Sequence, residues 1–396
     1  MMAKPLIVFE THPIQYHAPV YRHLQQHLDV PVTVIYGSDF SIAGYRDKEF
    51  GVTFSWDTDL LSGYSSYFLS RVENGGPDSP QALTGVGIPD ILDQIGPSVV
   101  LLHGYHPHFH RAAFWYSKRR NLPLLLRAET TDKNQNRTIA KTLLRDTILR
   151  WYYRQFTALL PIGQNSQVHY QRLINGQIPM FLAPYCADTA PFALTEEDRD
   201  CLRSETRLEL KLNQDDLVIL FSGKLIDVKA PGLLLEGLKQ LPLDFHTRIK
   251  VLFLGDGTLK DQLVQIAQTP PQITVQFLGF RNQTALSRYY HAADLLVLPS
   301  RSETWGLVVN EALHHGLPCV VSDRVGCASD LVHPARTGEI FYSGDATQLM
   351  KAITRANHLI GKLTVREECR AVVGNYSIAA AAQGIANAFD YAAKKC

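Results

Sequence analysis

The feature that most constrains this chain is an alternation of short apolar runs with longer amphipathic stretches, interrupted once and then resumed. Runs at 6–9, 32–36, 99–102, 122–126 and 158–162 have the length and the Val, Ile and Leu content of buried strands. Stretches at 16–28, 81–95, 110–120 and 137–156 have helical spacing. Strands separated by helices predict a parallel sheet with helices on both faces, because parallel neighbours need a long crossover. At 184–195 the periodicity fails, and Pro184 and Pro191 are closer together than a continuous helix tolerates. The alternation then restarts, with strands at 217–222, 250–254, 273–278, 295–298 and 319–321. Helices are predicted at 233–239, 259–268, 283–293 and 306–315, and helical ends at 346–357 and 377–395. The pattern is α/β, with two doubly wound halves at 1–185 and 195–376. A ligand is expected beyond the carboxyl ends of the strands, where the halves can face each other across a cleft.

Composition narrows the classes. Of 396 residues 45% are hydrophobic, enough to bury two cores, so the chain is not a disordered one. Lys+Arg number 39 against 38 Asp+Glu, which lacks the basic excess of a general nucleic-acid binder. No apolar run reaches the ~18 residues of a spanning helix, and the run after Pro5 is too short for a signal-peptide core. The six cysteines, at 186, 201, 319, 327, 369 and 396, form no CxxC pair, so neither a zinc knuckle nor a disulfide framework is indicated. A reducing, cytoplasmic setting is expected.

Three strand ends carry chemistry. At 298–312 a buried strand stops at Pro299, a polar turn follows, and a helix runs to Gly316-Leu317-Pro318. The helix opening at Trp305, Gly306 and Leu307 offers main-chain donors and a positive dipole end, which suit a phosphate. Glu303 stands before that helix and Glu311 inside it. Two such glutamates can bind ligand hydroxyls, or be a first-turn dipole partner and an exposed helix residue. After the strand at 217–222, Gly223 makes a turn and Lys224 and Lys229 follow, two ammonium groups able to clamp a diphosphate or simply to be solvated. Gly255-Asp256-Gly257 is a third strand-end turn, without the third glycine of a dinucleotide fingerprint.

Together these motifs, over about 180–345, resemble the donor domain of retaining glycosyltransferases of family 4, the group 1 type, with the GT-B fold. Glu303 and Glu311 have the family's spacing of two glutamates, with Trp305-Gly306 after the first. Gly223, Lys224 and Lys229 match its diphosphate clamp, with Lys224 in place of the usual Arg and Ala230 in place of a Gly. Asp256, Gly279-Phe280-Arg281 and Asp294 match as well. The resemblance implies two Rossmann-like domains facing across a cleft, with the helix at 377–395 returning to the first. It implies retaining transfer of a sugar, of the hexosyltransferase type, from a nucleoside diphosphate sugar to an acceptor hydroxyl, with no metal or other cofactor. In that reading Glu303 holds the donor sugar, Glu311 the ribose, and the main chain near Phe280 and Arg281 the base. A binding or scaffold protein that has lost turnover, and a sugar-nucleotide epimerase, are the alternatives on the same fold.

The first half matches more loosely. A glycine-free segment, 11–19, follows strand one; its His12, Gln15 and His17 are candidates for the acceptor, or a polar helix entry. Glu129 falls at the position where many members carry a histidine, either orienting a sugar hydroxyl or pairing with Arg127. Of His103, His106, His108 and His110, His103 is the favoured site member because it ends a strand; no ligand spacing for a metal accompanies them. Finally, Arg137, Lys141, Arg145, Arg150 and Arg154 recur along one helix beside Ile139, Leu143, Leu144, Ile148 and Leu149. Such a helix either touches an anionic membrane peripherally, through 137–154, or packs with a solvated basic face. The acceptor, whether glycan, lipid or small molecule, is left open, and nucleic acid is not an expected partner.

Overall fold

A computed structural model of the chain describes residues 5–46, 53–54, 56–97, 99–133, 138–189, 192, 195–242, 246–269 and 273–395. The chain forms two compact units, one of Met1–Tyr45, Thr53–Asp188 and Tyr376–Cys396, the other of Arg46–Val52 and Thr189–Asn375.

The first unit is built on a parallel sheet of β1 (Leu6–Glu10), β2 (Val32–Tyr36), β3 (Ser65–Phe68), β4 (Val99–His103), β5 (Leu124–Arg127) and β6 (Ala158–Leu160), in the order 3-2-1-4-5-6. That is the doubly wound order, with its reversal between β1 and β4. The helices are α1 (Ala18–His27), α2 (Ile88–Ile95), α3 (His108–Arg119), α4 (Ile139–Tyr153) and α5 (Gln164–Ile174). The C-terminal helix, Ile378–Ala393, belongs to this unit: its Ala381, Ile385 and Phe389 share a core with Leu6, Val8, Val20 and Ala158. It lies very close to the chain it covers, since a Cβ on Gly384 would stand 1.9 Å from the Leu182 carbonyl oxygen. Only glycine fits there.

The second unit repeats the plan with β7 (Leu217–Ser222), β8 (Ile249–Leu254), β9 (Thr274–Gly279), β10 (Leu295–Leu298), β11 (Cys319–Ser322) and β12 (Gly338–Phe341), ordered 9-8-7-10-11-12. Around it lie α6 (Glu196–Glu209), α7 (Pro231–Leu238), α8 (Lys260–Gln268), α9 (Gln283–Ala292), α10 (Leu307–His314), α11 (Ala328–Leu331), α12 (Ala346–Ala356) and α13 (Leu363–Gly374). Asp294, ahead of β10, is a framework residue. It binds the guanidinium groups of Arg203 and Arg207 at 2.6 and 2.7 Å and accepts from the Val218 N–H at 2.8 Å.

The α/β class and both doubly wound sheets are as the sequence predicts. One helix is not: 81–95 is a short 3-10 turn, Pro80–Ala82, followed by irregular chain, and helix only from Ile88. Gly87, at φ 86°, caps the real helix, and left-handed backbone ends helical propagation. Strands β3 and β12 and helices α5, α6, α11 and α13 were not anticipated. Among the described residues no helix is long and apolar enough to cross a membrane.

Candidate active site

In the second unit the loops at the carboxyl ends of β7, β8 and β9 are laced together. Gly223 N–H donates to the Leu254 carbonyl at 2.9 Å, Leu225 N–H to Asp256 at 2.9 Å, and Gly255 N–H to Gly279 at 3.0 Å. Gly255 has φ 143°, and a Cβ there would meet the Gly223 carbonyl oxygen at 2.0 Å, so the close approach of the two loops requires glycine. This lacing brings together the loops that carry the half-buried Lys224, Asp256 and Phe280 and the exposed Arg281. Asp256 turns back on its own loop, accepting from the Gly257 N–H at 2.8 Å and lying 3.5 Å from Lys260 Nζ. The Arg281 guanidinium lies 6.0 Å from the ring centre of Tyr289.

The second strand-end loop, 299–306, is fixed from two sides. Arg301 N–H donates to the Val228 carbonyl at 2.8 Å, while Gly326 N–H donates to Glu303 at 3.0 Å and Cys327 N–H to Trp305 at 2.9 Å. The result is a direct ion pair between Lys229 Nζ and Glu303 Oε2, with side chains only 23% and 16% exposed. Ser300 Oγ lies 3.5 Å from the same carboxylate oxygen. Lys229 sits in a short 3-10 turn, Asp227–Lys229, closed by Ala230 in the left-handed conformation at φ 49° and ψ 47°. Helix α10 opens at Gly306, φ 100°, where a Cβ would crowd Val325 Cγ1 at 3.0 Å. The Trp305 indole points inward and donates to Asn310 Oδ1 at 2.9 Å, so Trp305 can face a ligand only through its main chain.

Glu311 is not an exposed helix residue: it is 2% exposed. Tyr290 donates to its Oε2 at 2.6 Å, and the same Tyr290 oxygen is 3.2 Å from Ser222 Oγ at the end of β7. Below it, His315 is forced neutral by burial. Its Nδ1 must carry the proton, since it bonds the Glu311 carbonyl at 2.6 Å; Nε2 accepts from Ser287 at 2.9 Å. Glu311 is thus tethered to the end of β7 through Tyr290, and Glu303 to the loop that follows β7 through Lys229. Leu307, half-buried, begins the helix between them.

The first unit gathers part of its candidate set around a residue the sequence reading missed, Glu10. This carboxylate ends β1, is 1% exposed, and accepts from His17 Nδ1 at 2.6 Å and from the Tyr21 hydroxyl. His103 Nε2 lies 2.9 Å from the Tyr21 oxygen and 3.5 Å from Glu10 Oε1, and its ring stacks on His17 at 4.5 Å. Burial opposes ionisation of Glu10, but His103, His17 and Tyr21 outweigh it and hold the carboxyl well below the usual carboxylate range. Burial also drives His103 far below 6.5 and raises the Tyr21 hydroxyl well above 10. With the Tyr21 proton given to Glu10, His103 donates from Nε2, and its buried Nδ1 has no partner. The ligand atoms of Glu10, His17 and His103 lie within 4.8 Å of one another, a grouping absent from the sequence reading.

The remaining candidates scatter somewhat. Glu129 does not pair with Arg127: it accepts from the Tyr185 hydroxyl at 2.5 Å, and the Tyr185 ring lies 5.7 Å from that of His17. Arg127 is buried and binds the carbonyls of Ala183 at 3.0 Å and Pro184 at 2.8 Å. His12 packs on Phe40 and is lowered to about 4 by burial. Gln15 is buried, its Oε1 without a partner. His110 is also buried, with Nδ1 on the His106 carbonyl at 2.7 Å, and His106 and His108 are exposed.

Residues 203–378 match the family model described as glycosyl transferases group 1. Sulfoquinovosyl transferase SQD2 of Arabidopsis thaliana is 31% identical over 174 residues, 41% of this chain and 32% of that protein. The chain therefore spans about a third of the length of the curated relatives it matches first. Among solved structures, Anabaena HepE in complex with UDP and glucose superposes with a TM-score of 0.67 at 15% identity, covering 97% of this chain and 99% of that one. The catalytic domain of starch synthase IV from Arabidopsis thaliana, bound to ADP and acarbose, gives 0.70 at 12% identity, covering 99% and 100%. At such identities these likenesses show the fold, which is of the GT-B class.

Proposed function

We propose, from the match of residues 203–378 to the family model of group 1 glycosyltransferases, that this chain transfers a sugar, of the hexosyl type, from a nucleoside diphosphate sugar to an acceptor hydroxyl with retention of configuration. The observation that carries the reading is the tethering of Glu311 to the end of β7 and of Glu303 to the loop that follows it, beside Lys224 and the opening of α10. Sugar transfer needs a stabilised diphosphate leaving group, and two ammonium groups with a helix end supply positive potential there without a metal. Glu311, buried and held by Tyr290, suits a pair of ribose hydroxyls. Glu303, at the rim, suits the transferred sugar, and the turn at Phe280-Arg281 suits the base. With leaving and attack on one face, the departing phosphate oxygen takes the acceptor proton. In the first unit, Glu129, His103, His17, Gln15 and His12 are the residues assigned to the acceptor or the reacting sugar, with His17 and His103 oriented by Glu10. The acceptor is a glycan, lipid or small molecule. The five described cysteines are unpaired, which supports a reducing, cytoplasmic setting, with peripheral membrane contact through α4.

Thermal melting against a panel of nucleoside diphosphates identifies the base, because a ligand that binds only the folded chain raises its melting point. Incubating the matching donor with and without candidate acceptors then separates the readings. Acceptor-dependent release of nucleoside diphosphate supports transfer, an epimer without acceptor supports epimerisation, and neither supports a binding protein. Absence of any nucleotide-dependent shift sinks the proposal.

A further inference from the structure

Helix α4 is apolar on two sides. Leu149, Tyr152 and Tyr153 face the core of the first unit, so of the apolar residues recognised in the sequence only Leu149 packs inward. Ile139, Leu143, Leu144, Ile148 and Trp151 are between 50% and 81% exposed. On α3, Trp115 is 49% exposed, and its ring centre lies 6.1 Å from that of Trp151. At 100° per residue, Leu143, Leu144, Ile148 and Trp151 fall on one outward arc. Lys141 borders that arc on one side and Arg150 on the other, with Arg154 at the helix end, all exposed. The outward side is therefore an apolar ridge with basic borders, not a solvated basic face. A contiguous patch of this kind is where a soluble surface meets a partner.

The charge pattern selects the partner. Across α3 and α4, Arg111, Lys118, Arg119, Lys141 and Arg150 meet no offsetting acid on either helix, since Asp146 is buried against Arg172 and Arg145, and Arg145 is itself paired with Asp132 as well. This in a chain whose charges otherwise balance, 39 basic to 38 acidic, concentrates positive potential on one surface. Two such faces from two copies would bring like charges together, so the ridge is poorly suited to self-pairing. An anionic bilayer answers both features: acyl chains take the aliphatic ridge, headgroups take the lysine and arginines, and the indoles sit at the boundary. We propose that the outward face of α4, with Trp115 of α3, docks this protein on an anionic lipid surface. This deepens the membrane contact in the functional reading above, and lipid binding is measured without nucleotide, so either can fail alone.

The test is co-sedimentation of the full chain with vesicles of phosphatidylcholine, with and without phosphatidylglycerol. Binding is expected only with the anionic lipid and should fall as salt is raised. The double variant Leu144→Ser/Trp151→Ser should lose at least about tenfold in lipid affinity, and so should Lys141→Glu/Arg154→Glu, with melting curves like the wild type. In a Trp115→Phe background, Trp151 fluorescence should shift to the blue with anionic vesicles and be quenched by brominated acyl chains. Wild-type protein that stays in the supernatant with anionic vesicles overturns the proposal. So do variants that melt like wild type and still sediment with it, and so does a concentration-dependent dimer in ultracentrifugation that the Leu144→Ser/Trp151→Ser variant abolishes, which would assign the ridge to a second copy.

Discussion

Pairing of Lys229 with Glu303 gives the Glu303→Gln substitution an unusual expected signature. With no ligand between them the ammonium and the carboxylate neutralise each other, at side-chain exposures of 23% and 16%. A diphosphate that uses Lys229 must therefore compete with Glu303. Exposed pairs contribute at most about 1 kcal/mol, and breaking fully buried ones costs about 3–5 kcal/mol, so this intermediate pair should be worth about 1–2 kcal/mol. Glutamine keeps the shape and releases the ammonium. Bare nucleoside diphosphate should then bind the variant at least as well as wild type, and by as much as about tenfold more tightly, since each 1.4 kcal/mol is a factor of ten. Turnover should nonetheless fall, because the group that positions the donor sugar is weakened. Lys229→Ala alone should lose about 2–4 kcal/mol in kcat/KM, by analogy with removal of one donor to a developing anion. In the Lys229→Ala background, Glu303→Gln should no longer change nucleotide affinity. Calorimetric titration of the four proteins of this cycle, with turnover of the full donor, decides the matter. A tenfold weaker nucleotide complex of Glu303→Gln, or an affinity gain that persists without Lys229, would refute the reasoning.

Glu311→Gln and Tyr290→Phe act on one buried contact, so both should weaken the bare nucleoside diphosphate, by about 1–3 kcal/mol on titration, and an unchanged affinity in both would remove Glu311 from the ribose site. Gly255→Ala should destabilise the second unit by more than about 2 kcal/mol in urea unfolding, because its methyl would meet the Gly223 carbonyl oxygen at 2.0 Å. Asp294→Ala leaves Arg207, 1% exposed, without its counter-charge, and should cost about 3–5 kcal/mol in the same assay. Transfer should survive a chelator; activity that disappears with chelator and returns with manganese would contradict the metal-free reading.

What the sequence discloses follows from burial. Strands β1, β2 and β4 in the first unit and β7, β8 and β10 in the second are central or nearly so, covered on both faces, and hence continuous apolar runs. Edge strands need no such run: Ser65–Phe68 is alternately exposed and half-buried, and Gly338–Phe341 contains Gly338, whose Cβ would stand 1.8 Å from the Cys319 carbonyl oxygen. Residue types at strand ends were also legible, because glycine and charge at those places have few structural uses. Pairings were not. Lys229 and Glu303 are separated by 74 positions, and Glu10 and His103 end β1 and β4, which are neighbours in the sheet but far apart along the chain, so only the crossovers bring each pair together. Glu10 was passed over for a definite reason: it closes an apolar run, where an acidic residue usually marks the strand's exit into water. Here it turns inward, and three neighbours stabilise its charge.

The departure from the family pattern at Ala230 finds its explanation in the same geometry. Glycine is expected there because the residue must adopt φ 49° and ψ 47°, which costs a residue with a Cβ about 1–2 kcal/mol. The chain adopts it nonetheless. The Ala230 methyl is 6% exposed within the core of the second unit, and its burial recovers about 0.8 kcal/mol of that cost. Pro231 then opens α7 with its φ preset and no N–H to satisfy. The Lys229 N–H still closes on the Ile226 carbonyl at 3.0 Å and the Ala230 N–H on Asp227 at 3.1 Å, so the turn that carries Lys229 is complete. Alanine at this position is therefore a local strain that leaves the ammonium at the carboxylate of Glu303. Lys224 differs in kind: replacing a forked guanidinium by a point charge removes a bidentate contact and leaves the backbone as it was. Restoring glycine at 230 should change stability and not nucleotide affinity, whereas Lys224→Arg should tighten the nucleoside diphosphate complex and leave the melting point of the free chain where it is.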